Sequence, residues 1–393
     1  MKSNTSFSLA ENYLHLLETA AASNDGERCM VAPHPNLKKK LKKEFEKLKE
    51  SLGHSTLRTL LKPESKTKLG LNDGILTPGD VFPIGTSRSG ARGIAASRSP
   101  LKGTVRVIVV MVDFPDKAIT KKKKHFEDLF FSTGVVSTGS VKEYYKEVTN
   151  GKISIEGEVV GPYRMPLALR KYSNNGGGMD NASPNARDMC YEAAKAANAT
   201  IDFSKYDNDK DGYVDAFVVV HAGRGGEETG DNFDIWSHKW LFPKVFQADN
   251  TKVYSYLTVP EDCLLGVCAH ELGHLLFGFP DLYDTDYTSE GIGDWCLMAS
   301  GSWNNKGLTP SHPCGWCKAQ QGWVDMVEVS SDQKAVVIDD IKNSKKVYKL
   351  WKDGAKSKEY FLLENRMKKK YDKYLPGEGL LIYHIDEATS ENS

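Results

Sequence analysis

Hydrophobic positions recur at two different spacings along the chain, and the change of spacing marks its organisation. Leu37, Leu41, Phe45, Leu48 and Leu52 fall every three or four residues among lysines. That spacing predicts an amphipathic helix laying one apolar stripe on a larger body. Residues 1–28 are polar apart from a helical patch around Tyr13 to Leu17, and are expected to be loosely ordered. Residues 62–100, rich in Gly, Pro, Ser and basic residues, show no period and read as an extended linker. Within them, the arginines and small residues of Ser87 to Ser99 suit proteolytic nicking.

From Val105 the pattern changes. Val105 to Val112 is a run of strand length, apolar except for Arg106, followed by the turn Phe114-Pro115-Asp116 and a helical stretch near Lys121 to Phe131. Val141 to Val148 predicts a second helix with Ser140 as its cap, Ile153 to Val160 a strand, and Asn185 to Asn198 an alanine-rich helix. Ala216 to Val220 is another apolar strand, ending at His221, and Ser311 to Gln321 reads as a helix. Beyond residue 324 the runs are short and β-like: Ala335 to Ile338, Lys346 to Leu350, Tyr360 to Glu364 and Gly379 to Ile385. The expected fold class is α+β, in three parts: an N-terminal segment over 1–100, a central body over 101–323 and a β-rich subdomain over 324–393. Because the sequence stops just past a strand, truncation at that end is expected.

Composition narrows the partners. With 393 residues the chain can bury a substantial core, and 52 basic residues against 52 acidic ones favour neither nucleic acid nor a charged surface as partner. No apolar run is long enough to span a bilayer. The first residues lack the apolar stretch of a secretory signal peptide. Seven scattered cysteines, an odd number, fit mostly free buried thiols better than a disulfide framework. Nothing in the sequence bears on oligomeric state.

The candidate chemistry lies between Pro260 and Asp281, where His270-Glu271-Leu272-Gly273-His274 matches H-E-x-x-H. Residues four apart share a helical face, so both imidazoles can reach one ion while Glu271 stands beside a water rather than on the metal. Pro260 suits a first helical position, with Glu261 and Asp262 in the first turn, and Gly278 and Pro280 mark the end. The turn would return Asp281 toward the histidines, giving zinc three protein ligands and an open position. Chance alone produces H-E-x-x-H in roughly one or two chains per hundred of this length. The helix, its stop and the following carboxylate therefore carry the weight.

Other motifs are weaker. Asp207, Asp209, Asp211 and Asp215, with Gly212 at the turn, begin like a calcium loop, but Val218 stands where the bidentate Glu would be. Repulsion among these aspartates favours a structural calcium over a plain polar turn. The glycine-rich stretch after His221 lacks the Gly-Lys-Ser/Thr of a phosphate loop and reads as a mobile cleft rim. His238 is better read as hydrogen-bonded than catalytic. Met298, roughly two dozen residues past the second histidine, is a candidate apolar floor beneath the ligands. Cys314 and Cys317 have C-x-x-C spacing without a second pair, and buried thiols are the better reading.

Taken together, V-V-M-V-D-F-P-D, G-S-V-K-E-Y-Y-K-E-V-T-N-G-K, Y-D-N-D-K-D-G-Y-V-D, I-W-S-H-K-W, the H-E-x-x-H stretch and G-D-W-C-L-M-A-S-G-S-W resemble the immune inhibitor A-type zinc metallopeptidases, a metzincin-like family. The likeness covers most of residues 105–385. It implies a secreted endopeptidase acting on protein or peptide substrates, with zinc, structural calcium and an N-terminal prosegment. His270 and His274 match the zinc ligands, Glu271 the base, Asp281 the third ligand and Met298 the methionine of the turn. The family pattern is H-E-x-x-H-x-x-G-x-x-D; here one extra residue, about Phe277, precedes Gly278, which leaves Asp284 as the alternative third ligand. Cys29, beside a proline-rich turn in the implied prosegment, is a candidate thiolate ligand in a latent form, although a free cysteine is the reading the sequence favours. Two rival classes are a catalytically silent zinc-binding or adhesion protein and a zinc hydrolase of another substrate.

Overall fold

The computed structural model describes residues 8–21, 29–52, 99–248, 250–284 and 289–387. The linker reading over 62–98, with most of its nicking stretch, lies outside them, as do the side chains of Leu48 and Leu52. In chain order the main elements are α1 (Leu9–Ala21), β1 (Cys29–Met30), α2 (Pro35–Leu52), β2 (Gly103–Asp113), α3 (Lys123–Phe131), α4 (Val141–Val148), β3 (Ile153–Arg164), α5 (Ala186–Ala197), β4 (Phe217–His221), β5 (His238–Ala248), β6 (Thr251–Pro260), α6 (Leu265–Phe277), α7 (Gly315–Gln320), and β7 to β10 (Asp325–Glu328, Lys346–Trp351, Glu359–Arg366, Gly379–Asp386). The fold is a mixed arrangement of helices and sheets, as expected.

A six-stranded sheet of order β1-β5-β6-β4-β2-β3 forms the centre, parallel from β6 to β3 and antiparallel at the β5 and β1 edge. Strand β2 explains why the apolar run at 105–112 does not alternate. Val105, Val107, Val109 and Met111 join one core, while Ile108, Val110 and Val112 join the other. From Val107 to Val112 the strand is covered on both faces and apolar at every position, whereas Arg106 nearer its start is exposed. The first core receives α3, α4 and α6; the second receives α5, whose Ala193, Ala194 and Ala197 are buried. Helix α4 begins at a capping box: Ser140 Oγ accepts from Glu143 N at 3.2 Å, and Glu143 Oε2 accepts from Ser140 N at 3.0 Å.

Several expectations change. Residues 9–21 are helical, because Ala10, Tyr13 and Leu16 make a buried stripe against α2 and Trp236. The long antiparallel pair β5–β6 has no counterpart in the sequence reading. Pro260 closes β6, paired with His221, and α6 begins at Leu265. The physical reason is Glu261, whose carboxylate accepts from Thr120 N, Lys121 N and Gly223 N and is thereby tied to neighbouring loops. Residues 335–338 form no strand; Ala335 has φ 53° and Val337 is 84% exposed.

The C-terminal sheet runs β10-β9-β8-β7 over its own small core of Val324, Ile341, Val347, Tyr360 and Leu362. Arg366, fully buried, ties it to the main body. It donates to Asp372 at 2.9 Å, Glu364 at 3.2 Å and Trp295 O at 3.2 Å, while Asp372 accepts from His312 N at 3.0 Å.

Candidate metal centre

Helix α6 is buried over all thirteen residues. Such complete burial demands close neighbours. A Cβ on Gly266 would lie 1.8 Å from Ser302 O, and one on Gly273 would lie 2.8 Å from Met298 Sδ. Gly273, an x position of H-E-x-x-H, is thus what lets Met298 approach beneath the histidine helix. On the far side, Tyr145 of α4 donates to Ala269 O at 2.6 Å, fixing the backbone one residue before His270.

The helix ends at Gly278, whose φ of 63° is the left-handed cap that the sequence predicts. Phe279 N then bonds Gly273 O at 3.2 Å, turning the chain so that Asp281 returns to the histidines. Asp281 Oδ1 stands 3.1 Å from His270 Nε2 and 3.2 Å from His274 Nε2, and the two Nε2 atoms are 3.0 Å apart. The extra residue before Gly278 is absorbed by one more helical position. Asp284 is spent elsewhere, accepting from Ser289 N at 2.6 Å.

The other ring nitrogens decide what these atoms can do. His270 Nδ1 faces Leu297 O at 2.9 Å and His274 Nδ1 faces Phe279 O at 2.5 Å. A carbonyl only accepts, so each Nδ1 carries the hydrogen and each Nε2 presents a lone pair. With neutral rings, two lone pairs from buried imidazoles and an oxygen of the partly exposed Asp281 converge, an arrangement that repels unless a cation joins them. Ligand atoms around a tetrahedral zinc with bonds of about 2.0–2.1 Å are about 3.3 Å apart, close to the spacing found. The residues fit a zinc ion. The backbone that orients His270 also carries Met298, whose carbonyl accepts from Leu282 N at 2.8 Å.

Glu271 is fully buried; its carboxylate meets no hydrogen-bond partner at full geometry, and the Val31 backbone stands as a weak donor toward it. Burial, reinforced by the charge of Asp281, pushes its carboxyl well above the usual range. Burial would also raise Asp281, and only when the facing imidazoles are protonated do they reverse this and bring it down to about 2.

The other candidates separate. Carboxylate oxygens of Asp207, Asp209 and Asp215 gather within 4.8 Å, and Asp211 is outside that group. His238 lies in the core, bonded to Trp236 O at 2.6 Å and Tyr256 OH at 2.9 Å. Cys314 and Cys317 are buried with sulfurs 3.7 Å apart, and Cys296 completes a trio within 4.8 Å. The glycine-rich stretch after His221 is anchored by Glu227, which accepts from Ser237 N at 2.9 Å. Trp236, in a stretch the sequence suggests as cleft lining, bonds Val31 O, whereas sequence reasoning missed two side chains that line this region through backbone contacts: Tyr283 and Trp303. Aromatic residues at irregular spacing carry no sequence signal for such a role.

With this geometry in hand, comparison with known proteins gives one family. The model of the immune inhibitor A peptidase M6 catalytic domain matches residues 96–326. The chain belongs to that family. It is 32% identical over 274 residues to immune inhibitor A of Bacillus thuringiensis subsp. alesti, covering 55% of this chain and 40% of that protein. It is 30% identical over 272 residues to the pre-pro-metalloprotease PrtV of Vibrio cholerae serotype O1 (strain M66-2), covering 55% of this chain and 29% of the relative. The match thus spans less than half the length of these relatives. Among the described residues no helix is long and apolar enough to cross a membrane.

Proposed function

We propose that the protein is a secreted, zinc-dependent endopeptidase of metzincin-like fold, made as a zymogen. Residues 1–100 would be its prosegment, 101–323 its catalytic domain and 324–393 a β-rich subdomain. The observation that carries this reading is the meeting of His270 Nε2, His274 Nε2 and Asp281 Oδ1 within about 3.2 Å of one another, with the fully buried Glu271 on the same helix. Membership of a peptidase family supports it, as does the name of the Vibrio relative, which describes a pre-pro form. A zinc ion held by the three ligands would supply a Lewis acid toward water and the scissile carbonyl. Glu271 takes the proton from the attacking water and delivers it to the leaving amine. The buried walls around α6 exclude bulk water from that transfer.

Cleavage of casein tests this. It should stop with a chelator and return with zinc, and Glu271→Ala should lower turnover by about 10²–10⁴-fold while metal analysis still finds zinc bound. Processed, zinc-bound wild-type protein without cleavage would favour a silent binding protein or a hydrolase of another substrate. A structural calcium on Asp207, Asp209 and Asp215 is a second, separate proposal, supported by their gathered carboxylates.

A further inference from the structure

We propose that Cys29 is a zinc ligand of the unprocessed chain, its thiolate occupying the position that attacking water needs. This rests on the zinc reading above. Cys29 Sγ, a ring nitrogen of His274 and a carboxylate oxygen of Asp281 lie within 4.8 Å of one another.

The thiol is there because its backbone is held from several sides. Cys29 and Met30 add an antiparallel strand to the edge of β5, opposite Lys239 and His238. Val31 N donates to Ser237 O at 3.3 Å. Trp236 Nε1 donates to Val31 O at 2.9 Å, Tyr283 OH to Met30 O at 2.8 Å and Trp303 Nε1 to Ala32 O at 2.8 Å. All four residues from Cys29 to Ala32 are buried. Helix α2 then clamps the segment: Leu37 and Leu41 pack into the core, and Lys38 pairs with Glu290 at 2.6 Å. A short strand pinned by three aromatic donors from separate parts of the fold has its position specified, so the thiol is aimed rather than incidental.

The chemistry agrees. A buried thiolate without a cation is costly, whereas zinc deprotonates a coordinating thiol and binds soft sulfur well. As the S–Zn bond forms, the S–H proton passes to solvent. On activation that bond breaks, the sulfur recovers a proton, and the position opens to water. Removing the segment that carries Cys29 would release the thiol and uncover the β5 edge in one event.

Cobalt(II) substitution of the full, unprocessed chain tests the assignment. Wild type should show visible d–d bands of bound cobalt together with a near-ultraviolet thiolate-to-cobalt band. Cys29→Ser should keep the d–d bands, lose the thiolate band, and cleave casein without processing. A thiolate band that is missing in wild type, or unchanged in Cys29→Ser, overturns the proposal and leaves the zinc reading intact. Failure of both proteins to bind cobalt overturns the zinc reading itself, and this proposal with it. X-ray absorption of zinc-loaded wild type needs no variant. One sulfur at about 2.3 Å before processing and none afterwards is expected; only nitrogen and oxygen before processing overturns it.

Discussion

The histidine centre and the Asp207 loop both gather acidic or metal-ligating atoms, yet they are different physical objects. In the loop the carboxylates already have hydrogens to accept. Asp211 N donates to Asp207 Oδ1 at 3.1 Å, Gly212 N to Asp207 Oδ2 at 3.0 Å and Tyr213 N to Asp211 Oδ1 at 2.8 Å. Asn208 N donates to Asp215 Oδ2 at 2.5 Å. The turn is partly open to water, which screens what repulsion is left. In the centre, both Nδ1 hydrogens are committed to carbonyls, and the inward atoms have only lone pairs to offer one another. Both rings are fully buried while Asp281 is partly exposed, so a cation reaching the site from solvent would balance them. His312 supplies a third case: equally buried, it has Lys318 at 2.8 Å on one nitrogen and Glu147 at 3.0 Å on the other, and needs no metal. The lesson is that converging lone pairs with their other nitrogens already committed, rather than a count of acids and histidines, single out the candidate metal centre.

The comparison can be broken most sharply by His274→Ala. Bound zinc should disappear and casein turnover fall about 10³-fold or more, since several kcal/mol of charge stabilisation go with the metal. Asp207→Asn should leave zinc content and turnover unchanged. Metal analysis beside the assay decides; equal zinc loss in both would erase the distinction.

Next in size is the pH response of His312. Burial, set against the opposing charge of Asp372, brings its pKa down to about 4 from an ordinary 6.5. Between those values the unfolded state binds the extra proton, so stability is present above the unfolded pKa and is lost as pH falls from 6.5 toward 4. The separation corresponds to about 3 kcal/mol. Urea unfolding at pH 7 and pH 4.5 should show wild type losing more stability than His312→Gln. Identical losses would refute a neutral buried His312.

Calcium comes third. If the Asp207 loop binds it, the melting temperature should rise with calcium, by up to about 2.7 kcal/mol of stability at a hundredfold excess over Kd. Asp207→Asn should abolish the rise. A melting temperature indifferent to calcium would mean that the loop's own N–H groups suffice.

The smallest effects contrast two glycines. Gly266→Ala should cost about 1–3 kcal/mol, because its Cβ meets the Ser302 carbonyl at 1.8 Å. Gly212→Ala has open space around it but φ of +90°, so only backbone strain opposes it, about 1–2 kcal/mol. Thermal melts of both, with zinc retained in Gly212→Ala, would order packing against backbone strain.

Much of this was legible in the chain itself. H-E-x-x-H at helical spacing, followed by Gly278, determined that two imidazoles share a face and that the chain turns after them. The apolar run at 105–112 determined a strand buried on both sides, and Ser140 with Glu143 determined where α4 starts. These are local matters, settled by the period of the backbone and by which residues tolerate a left-handed turn. Tertiary structure decided the rest. Placing Asp281 rather than Asp284 beside the histidines depended on Phe279 N folding back onto Gly273 O. Moving the start of α6 from Pro260 to Leu265 required the loops that capture Glu261. Bringing Cys29 to the histidines joined positions more than two hundred residues apart, through a strand edge and three aromatic donors that no spacing rule connects. A sequence fixes the periodicity of its own segments. Which lone pairs meet in the dry interior depends on contacts between distant segments, and those exist only once the chain has folded.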